Sequence, residues 1–270
     1  MTQGIAKRRG MAYETLRLEY DGPIATITLS RPEKRNAISP RMIDDALGAL
    51  DEIEGSKARI GILTGAGKAF CAGMDLEVLR TISSQTPAQN LQDSRRMAQL
   101  FRRLWSFPKV LIAAVNGAAL AGGCAMATLP DFTLAAPDAS FGYTEVRIGF
   151  VPAIVSVFLR RRVGDARARD LILTGRIFPA EEAQRLGLVN EVVAADRLTA
   201  RAHELAGVLL ANSPASLLAS KKLLVETEEA AIDREISLAI EANAAVRATP
   251  DFREGVASFL EKRKPRWSGE

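Results

Sequence analysis

The sequence predicts an α/β fold in which strands alternate with helices first and helices then accumulate towards the C-terminus. Residues 15–20 and 24–30 alternate apolar and polar side chains around an Asp-Gly-Pro turn signal at 21–23, which predicts a β-hairpin. Val110–Val115 is a continuous apolar run, as expected of a strand that is buried on both faces. From residue 154 onward helical patterns dominate. These observations favour one α/β core with a helical C-terminal extension.

The remaining elements are predicted from caps and from short apolar runs. A helix should begin at Pro40, because Ser39 is a suitable N-cap and proline is favoured at the first helical position. Short apolar runs predict strands at 60–64, 132–135 and 188–193. Helical periodicity predicts an amphipathic helix at 89–105 and three or four helices within 197–262.

The chain divides into three predicted regions. We expect residues 1–12 to be a disordered leader, because three basic residues there are followed by no apolar segment of a signal peptide. Residues 13–195 should form the core that carries the functional site. Residues 196–270 should form a C-terminal helical region.

Composition restricts the class of protein. Hydrophobic residues make up 47% of the chain and charged residues 25%, an ordinary balance for a soluble globular protein. The net charge of +4 suits an anionic partner such as a nucleotide phosphate, and it is a weak signal for nucleic acid. No run of 18 apolar residues occurs, so we expect no membrane span. Cys71 and Cys124 lie in no metal-binding pattern, so we expect no metal and a reducing, cytoplasmic location.

Two turns rich in small residues are the candidate functional elements. Residues 70–76 and 116–124 each follow an apolar run and precede a helical pattern. Small residues let a ligand approach the backbone, and a helix N-terminus presents N–H groups without partners. Two such turns that face one another could hold an oxygen with negative charge. By themselves, these glycines are more typical of tight turns and close helix packing than of a binding site.

The chain resembles the enoyl-CoA hydratase/isomerase (crotonase) superfamily from residue 15 to residue 267. The resemblance rests on motifs that occur in the order of that family: Arg31-Pro32, Asn36-Ala37, 70–76, 115–117, Gly122-Gly123, Asp131, 141–145, 173–175, Ala183, 187–189 and 259–264. Each motif is weak alone, whereas the ordered set is specific.

The resemblance implies a superhelix of repeated ββα units with a C-terminal helical trimerisation region, assembled as a homotrimer or hexamer. It implies an acyl-CoA thioester as substrate and no cofactor besides the CoA of that substrate. Met74 and Gly122 match the two N–H donors that hold the thioester oxygen, and Glu145 matches an acid/base. The positions that match CoA-binding residues are Arg35, Ala37, Ala72, Leu76, Phe259 and Lys262.

One position departs from the family pattern. Hydratases of the family usually carry a second glutamate two residues after Gly-Gly, and this chain has Ala125 there. Glu145 could then act alone as base and acid for hydration, which we favour, or shuttle a proton between C2 and C4 as a Δ3-Δ2 isomerase. Asp75, Glu77 or Tyr143 could also replace the missing group. A non-catalytic CoA- or RNA-binding protein is the third alternative.

Arg147 and His203 are two further polar residues for which a functional role can be considered. Arg147 follows Glu145 closely and could pair with a substrate carboxylate, although a structural or surface ion pair is the commoner role of an arginine. His203 is the only histidine and is distant in sequence from both turns, so we expect no catalytic role.

Overall fold

The computed structural model describes residues 8–9, 13–82 and 84–269, with the backbone alone at 8–9. Arg8–Arg9 forms a two-residue strand, and the rest of the expected leader lies outside the described residues. No helix in the described ranges combines the length and the apolar character that a bilayer crossing requires.

Strands in the described residues form two sheets. The strands are β1 (Arg8–Arg9), β2 (Leu16–Asp21), β3 (Ile24–Leu29), β4 (Ile60–Gly65), β5 (Ala69–Cys71), β6 (Val110–Val115), β7 (Ala118–Leu120), β8 (Phe132–Ala135), β9 (Ser140–Gly142), β10 (Ile177–Pro179) and β11 (Glu191–Val192). The larger sheet has the order β1-β2-β3-β4-β6-β8-β11, and the smaller sheet has the order β10-β9-β7-β5.

The larger sheet is an antiparallel hairpin joined to a parallel array. β2 and β3 pair in antiparallel fashion across Gly22, whose φ of 56° favours glycine. The pairs β3–β4, β4–β6, β6–β8 and β8–β11 are parallel. Every residue of β6 is buried, as the apolar run predicts for a strand covered on both faces. The predicted hairpin and central strand are therefore confirmed.

Helices cover both faces of this sheet. They are α1 (Pro40–Gly55), α2 (Leu76–Ile82), α3 (Pro87–Trp105), α4 (Gly122–Thr128), α5 (Ala153–Val163), α6 (Asp165–Thr174), α7 (Ala180–Arg185), α8 (Leu198–Leu210), α9 (Pro214–Val246) and α10 (Pro250–Leu260), with 3-10 helices at Pro32–Lys34 and Glu145–Ile148. One face packs on α8, and the other belongs to the main core with α1, α3 and α5.

Capping residues set the helix starts. The Ser39 side chain accepts a hydrogen bond from the Met42 N–H at the start of α1, as predicted. α3 begins at Pro87, two residues before the predicted start, because Thr86 and Gln89 form a reciprocal capping box.

The predicted strand at 188–193 is shorter in the structure, where only Glu191–Val192 pairs with β8. The N–H groups of Leu188 and Val189 both donate to the carbonyl of Ala183, at 2.9 and 3.2 Å. These two residues thus close the end of α7, and their burial explains their apolar character.

The smaller sheet positions the functional elements. β5, β7 and β9 run parallel, so their carboxyl ends lie at the same edge. The second glycine-rich segment, 116–124, contains the short strand β7, and the first, 70–76, overlaps the end of β5. The turns themselves are residues 72–75 after β5 and residue 121 after β7, and the 3-10 helix Glu145–Ile148 follows β9. Segments far apart in the sequence therefore meet beside one edge of a short sheet.

Candidate active site

A cavity of ≈ 1010 Å³ opens at this edge of the smaller sheet. Its lining includes all the residues that the sequence predicts for the site: Arg35, Ala37, Ala72, Met74, Leu76, Gly122, Glu145, Phe259 and Lys262. One chain thus brings these residues to one cavity, including the two from its C-terminal region.

The first turn leaves the Met74 N–H without an acceptor. The Ile38 N–H donates to the Gly73 carbonyl at 2.7 Å, and the Asp75 N–H donates to the Ile38 carbonyl at 2.9 Å. In this parallel bridge the residue between the two bonded positions turns its N–H the other way. Among the described residues, nothing accepts a hydrogen bond from that N–H.

The second turn presents the N–H of Gly122 in the same way. Gly122 opens α4, and the first N–H groups of a helix have no partner within it. The preceding residue, Ala121, has a φ of 49° and donates its N–H to the Gly142 carbonyl at 2.7 Å. No local sequence signal indicates this positive φ at an alanine, which lies at the N-cap of α4.

The two turns are in backbone contact, and glycine is required where they meet. A Cβ at Gly73 would lie 3.1 Å from the carbonyl oxygen of Leu120, and the φ of Gly73 is 92°. A Cβ at Gly123 would overlap the carbonyl of Cys71. The small residues therefore serve the close approach of the two turns.

Glu145 is a buried carboxyl group at the start of its 3-10 helix, with an exposed fraction of 8%. Its Oε2 atom has no hydrogen-bond partner among the described residues. Burial raises the pKa of Glu145 to about 7, against the opposing effect of a hydrogen bond from its own N–H. A carboxyl group with this pKa can both accept and return a proton near neutrality.

The side chains that could replace the missing second glutamate are engaged elsewhere. Asp75 pairs with Arg31 at 2.7 Å, and Glu77 pairs with Lys34 at 2.8 Å. The Tyr143 hydroxyl lies 3.1 Å from Thr128 Oγ1, and Tyr143 is fully buried outside the cavity lining.

Position 125 lies one helical turn after two residues that line the cavity, but Ala125 itself is not part of the lining. Ala125 follows Ala121 by four residues and Gly122 by three, and residues at these spacings share a helix face. Both of those residues line the cavity, whereas Ala125 is fully buried beneath them. Burial raises the pKa of the adjacent Cys124 thiol to about 12, so this residue supplies no ready proton near neutrality.

Cations and apolar side chains surround the mouth of the cavity. Lys34, Arg35, Lys262 and Arg263 all contribute to its lining. Leu76 and Phe259, about half exposed, stand beside them in the same lining. Ammonium and guanidinium groups suit phosphates, and apolar side chains suit the face of a base.

The other residues singled out from the sequence have clear positions. Arg147 lines the cavity and is exposed, and it makes no ion pair within the described ranges, which contradicts the ion-pair interpretation. Asp131 accepts hydrogen bonds from the Leu111 N–H and from Lys221 Nζ, as expected of a residue that braces a strand end. His203 lies on α8 outside the cavity.

The structure also shows cavity residues that sequence reasoning missed. Met97 and Phe101 of α3, and Asn243 and Arg247 from the end of α9, contribute to the wall. The sequence around these four residues carries no local signal for a cavity, because a helix face that packs in the core and one that lines a cavity show the same apolar periodicity.

Comparison with known proteins decides the family. The sequence profile of the family described as enoyl-CoA hydratase/isomerase matches residues 19–270. The chain belongs to the enoyl-CoA hydratase/isomerase family. A relative from Thermus thermophilus, provisionally named an enoyl-CoA hydratase, is 43% identical over 247 residues, which cover 91% of this chain and 98% of the relative.

Further members of the enoyl-CoA hydratase/isomerase family show the same likeness over nearly full length. The crotonyl-CoA hydratase of Syntrophomonas wolfei is 35% identical, with 94% of this chain and 98% of the relative covered. The crystal structure of an enoyl-CoA hydratase/isomerase from Xanthobacter autotrophicus Py2 superposes with a TM-score of 0.85 at 31% identity, over 93% of this chain and 98% of that chain. The resemblance inferred from the motifs and the α/β fold with a helical C-terminal region are thus confirmed.

Proposed function

We propose that this protein is a hydratase that adds water across the C2–C3 double bond of a 2-enoyl-CoA thioester, with Glu145 as the single acid/base. The observation that carries the proposal is the buried carboxyl of Glu145, whose Oε2 has no partner among the described residues, in the same cavity as two N–H groups without acceptors. The hydratase names of the relatives support hydration over isomerisation.

In the proposed mechanism, the Met74 and Gly122 N–H groups donate to the thioester oxygen. Ionised Glu145 takes a proton from water as the water oxygen bonds to C3, and the electrons of the double bond pass to the thioester oxygen as an enolate. Glu145 then returns the proton to C2, which completes the 3-hydroxyacyl product. Each N–H donor of such a pair contributes about 3 kcal/mol to the stabilisation of the transition state.

The absence of a second carboxylate at position 125 assigns both proton transfers to one residue. A pKa of about 7 suits this double role, because both protonation states are populated at neutral pH. A backbone hydrogen bond holds Glu145 in place, since the carbonyl oxygen of Glu145 accepts from the Phe150 N–H at 3.1 Å.

The mouth of the cavity is proposed to hold the CoA portion. Arg35 and Lys262 would contact phosphates, while Ala37, Ala72, Leu76 and Phe259 would border the adenine. Their common place in the lining and the charge of the mouth support this assignment.

We also propose that residues 13–195 form the catalytic core, folded as ββα units, and that 196–270 associate into a homotrimer or hexamer. Exposed leucines on α9, including Leu223, Leu224 and Leu238, support association through this region. A cytoplasmic location completes the proposal, and the free thiols of Cys71 and Cys124 suit a reducing compartment. Light scattering of the purified protein tests the assembly.

Turnover on two isomeric substrates tests the function. Crotonyl-CoA should lose the ultraviolet absorbance of its conjugated thioester as it is hydrated. A 3-enoyl-CoA that gains this absorbance faster would make the protein an isomerase. Salt-dependent RNA binding without turnover of either substrate would support the non-catalytic alternative instead.

A further inference from the structure

A buried polar group interrupts the apolar wall of the cavity at a distance from Glu145. Arg247 contributes to the lining of the cavity although only 3% of the residue is exposed. Beside it lie Asn243, also in the lining, and Ser94, whose hydroxyl donates to Asn243 Oδ1 at 2.8 Å. Polar groups in an apolar wall oppose the binding of an apolar chain unless the ligand offers partners for them.

The Nη1 end of this guanidinium is satisfied, whereas Nε has no partner in the described part of the chain. Nη1 of Arg247 donates to Asp93 Oδ2 at 2.8 Å and lies 3.5 Å from Asn90 Oδ1. Nη2 donates only to Asn243 Oδ1, at 3.1 Å, and Nε has no partner among the described residues. Nε and Nη2 together form the edge of a guanidinium that can bind a carboxylate through two parallel hydrogen bonds.

This edge of Arg247 lies at some distance along α3 from the proposed thioester site, where the far end of an acyl chain would reach. A Cβ at Gly122 would lie 3.6 Å from Cζ of Phe101, which places Phe101 beside the proposed thioester oxygen. Asp93 lies eight residues earlier on α3, a distance of about 12 Å along the helix. Met97, between them, also lines the cavity. One helix thus connects the reacting end of the cavity to the polar end.

The polar end is also fixed to the segment that carries Glu145. The Arg247 guanidinium lies 5.3 Å from the ring centroid of Phe150, and Asn243 Nδ2 lies 3.4 Å from the Val151 carbonyl. Because these contacts hold Arg247 and Asn243 in place, recognition there would cost little ordering of side chains.

We propose that Arg247 and Asn243 form a carboxylate-recognising end of the acyl cavity, so that the preferred substrates are 2-enoyl-CoA thioesters whose medium-length acyl chain ends in a carboxylate. The incoming carboxylate binds the Nε and Nη2 edge, on the side of the guanidinium opposite Asp93. This inference rests on the proposed hydratase function and adds a substrate class to it.

The experiment compares methyl-terminated and carboxylate-terminated 2-enoyl-CoA thioesters of equal chain length. We expect kcat/KM to favour the carboxylate-terminated ester about 10- to 100-fold at the best-fitting length, as for a hydrogen-bonded charge. Arg247→Met should reduce this ratio at least tenfold. Asn243→Asp should also reduce it, because a carboxylate beside Nη2 neutralises part of the charge of Arg247 and repels the incoming carboxylate. Arg253→Met, at an exposed arginine of α10 outside the lining, is the matched control and should keep the ratio.

Three results would overturn the inference: a ratio near one in the unaltered protein, a ratio unchanged in both variants, or a ratio lost only in Arg147→Gln, which would assign recognition to the other cavity arginine. If Arg247→Met unfolds because Asp93 loses its partner, the double variant with Asp93→Asn serves instead.

Calorimetric binding of the saturated CoA esters separates the two proposals. If no 2-enoyl-CoA is turned over, the hydratase function fails, and the affinity ratio of the saturated methyl- and carboxylate-terminated esters still decides the role of Arg247. If turnover occurs without any preference, only the carboxylate end fails.

Discussion

Two carboxyl groups line the same cavity and are buried to a similar degree, yet their environments differ. Asp75 has an exposed fraction of 3% and Glu145 of 8%. Burial pushes the pKa of Asp75 upward, but the Glu77 N–H together with Arg31 and Lys34 outweighs it, and the pKa lies below its ordinary value. Glu145 has no such partners, and burial raises its pKa to about 7.

The comparison teaches that partners, more than burial, decide which carboxyl group can move protons. Asp75 stays ionised and ties the loop after β3 to the first turn, through Arg31 at 2.7 Å. Glu145 remains close to the balance between its charged and neutral forms.

The largest effect is expected from removing the charge at position 145. Glu145→Gln should lower turnover of crotonyl-CoA at least ~100-fold, because the amide can neither take nor return a proton. Binding of a CoA ester should persist, since the cations at the mouth are unchanged. A spectrophotometric assay with crotonyl-CoA measures turnover, and calorimetry measures binding of the CoA ester. Turnover equal to that of the unaltered enzyme would remove Glu145 from the mechanism.

The pH dependence should follow the same group. Because Glu145 must be ionised to accept a proton from water, kcat/KM should fall about tenfold per pH unit below pH 7. A pH–rate profile with crotonyl-CoA measures it. A profile that stays flat down to about pH 5 would show that another group accepts the proton.

The contribution of Glu145 to stability should fall as pH rises, whereas kcat/KM rises. Between pH 4.5 and about pH 7, the folded state holds a proton on Glu145 that the unfolded state releases. The contribution of this residue to the free energy of unfolding therefore falls as pH rises through this range. Glu145→Gln should therefore be more stable than the parent at about pH 8, by up to ~3 kcal/mol, and alike at about pH 4. Urea unfolding at the two pH values gives the comparison, and an equal difference at both would contradict it.

Asp75→Asn should mainly reduce stability. The loss leaves the half-buried Arg31 without a charged partner, which we expect to cost ~2 kcal/mol in the free energy of unfolding. Turnover should fall less than tenfold, because the Asp75 N–H still donates to Ile38 and keeps the first turn in place. A loss of turnover as large as that of Glu145→Gln would end the distinction between the two carboxyl groups.

The smallest effect is expected from adding a carboxylate at position 125. Ala125→Glu places the new group one helical turn after Gly122, on the face that meets the cavity. We expect crotonyl-CoA turnover to be retained or raised, with a modest loss of thermal stability from burial of the charge. Matched melting curves and rates measure this, and failure to fold would show that no path leads from position 125 to the cavity.

The glycine-rich turns show where sequence reasoning reached its limit. Their small residues indicated close approach of backbones, and the ordered motifs identified the family. The sequence could not show that Gly123 packs on Cys71, because that contact joins the start of α4 to β5, two elements far apart in the chain. Nor could it show that Ala121 adopts a positive φ, since alanine gives no local signal for this conformation.

Elements with local signals could be predicted from the amino-acid sequence: the Ser39 cap, the buried strand Val110–Val115 and the helices near the C-terminus. Tertiary structure alone decided which groups meet. It left Glu145 unpaired while it paired Asp75, and it brought Arg247 to the cavity wall beside α3. The reason is physical: caps and periodicity depend on neighbours in the chain, whereas desolvation and charge pairing depend on neighbours in space.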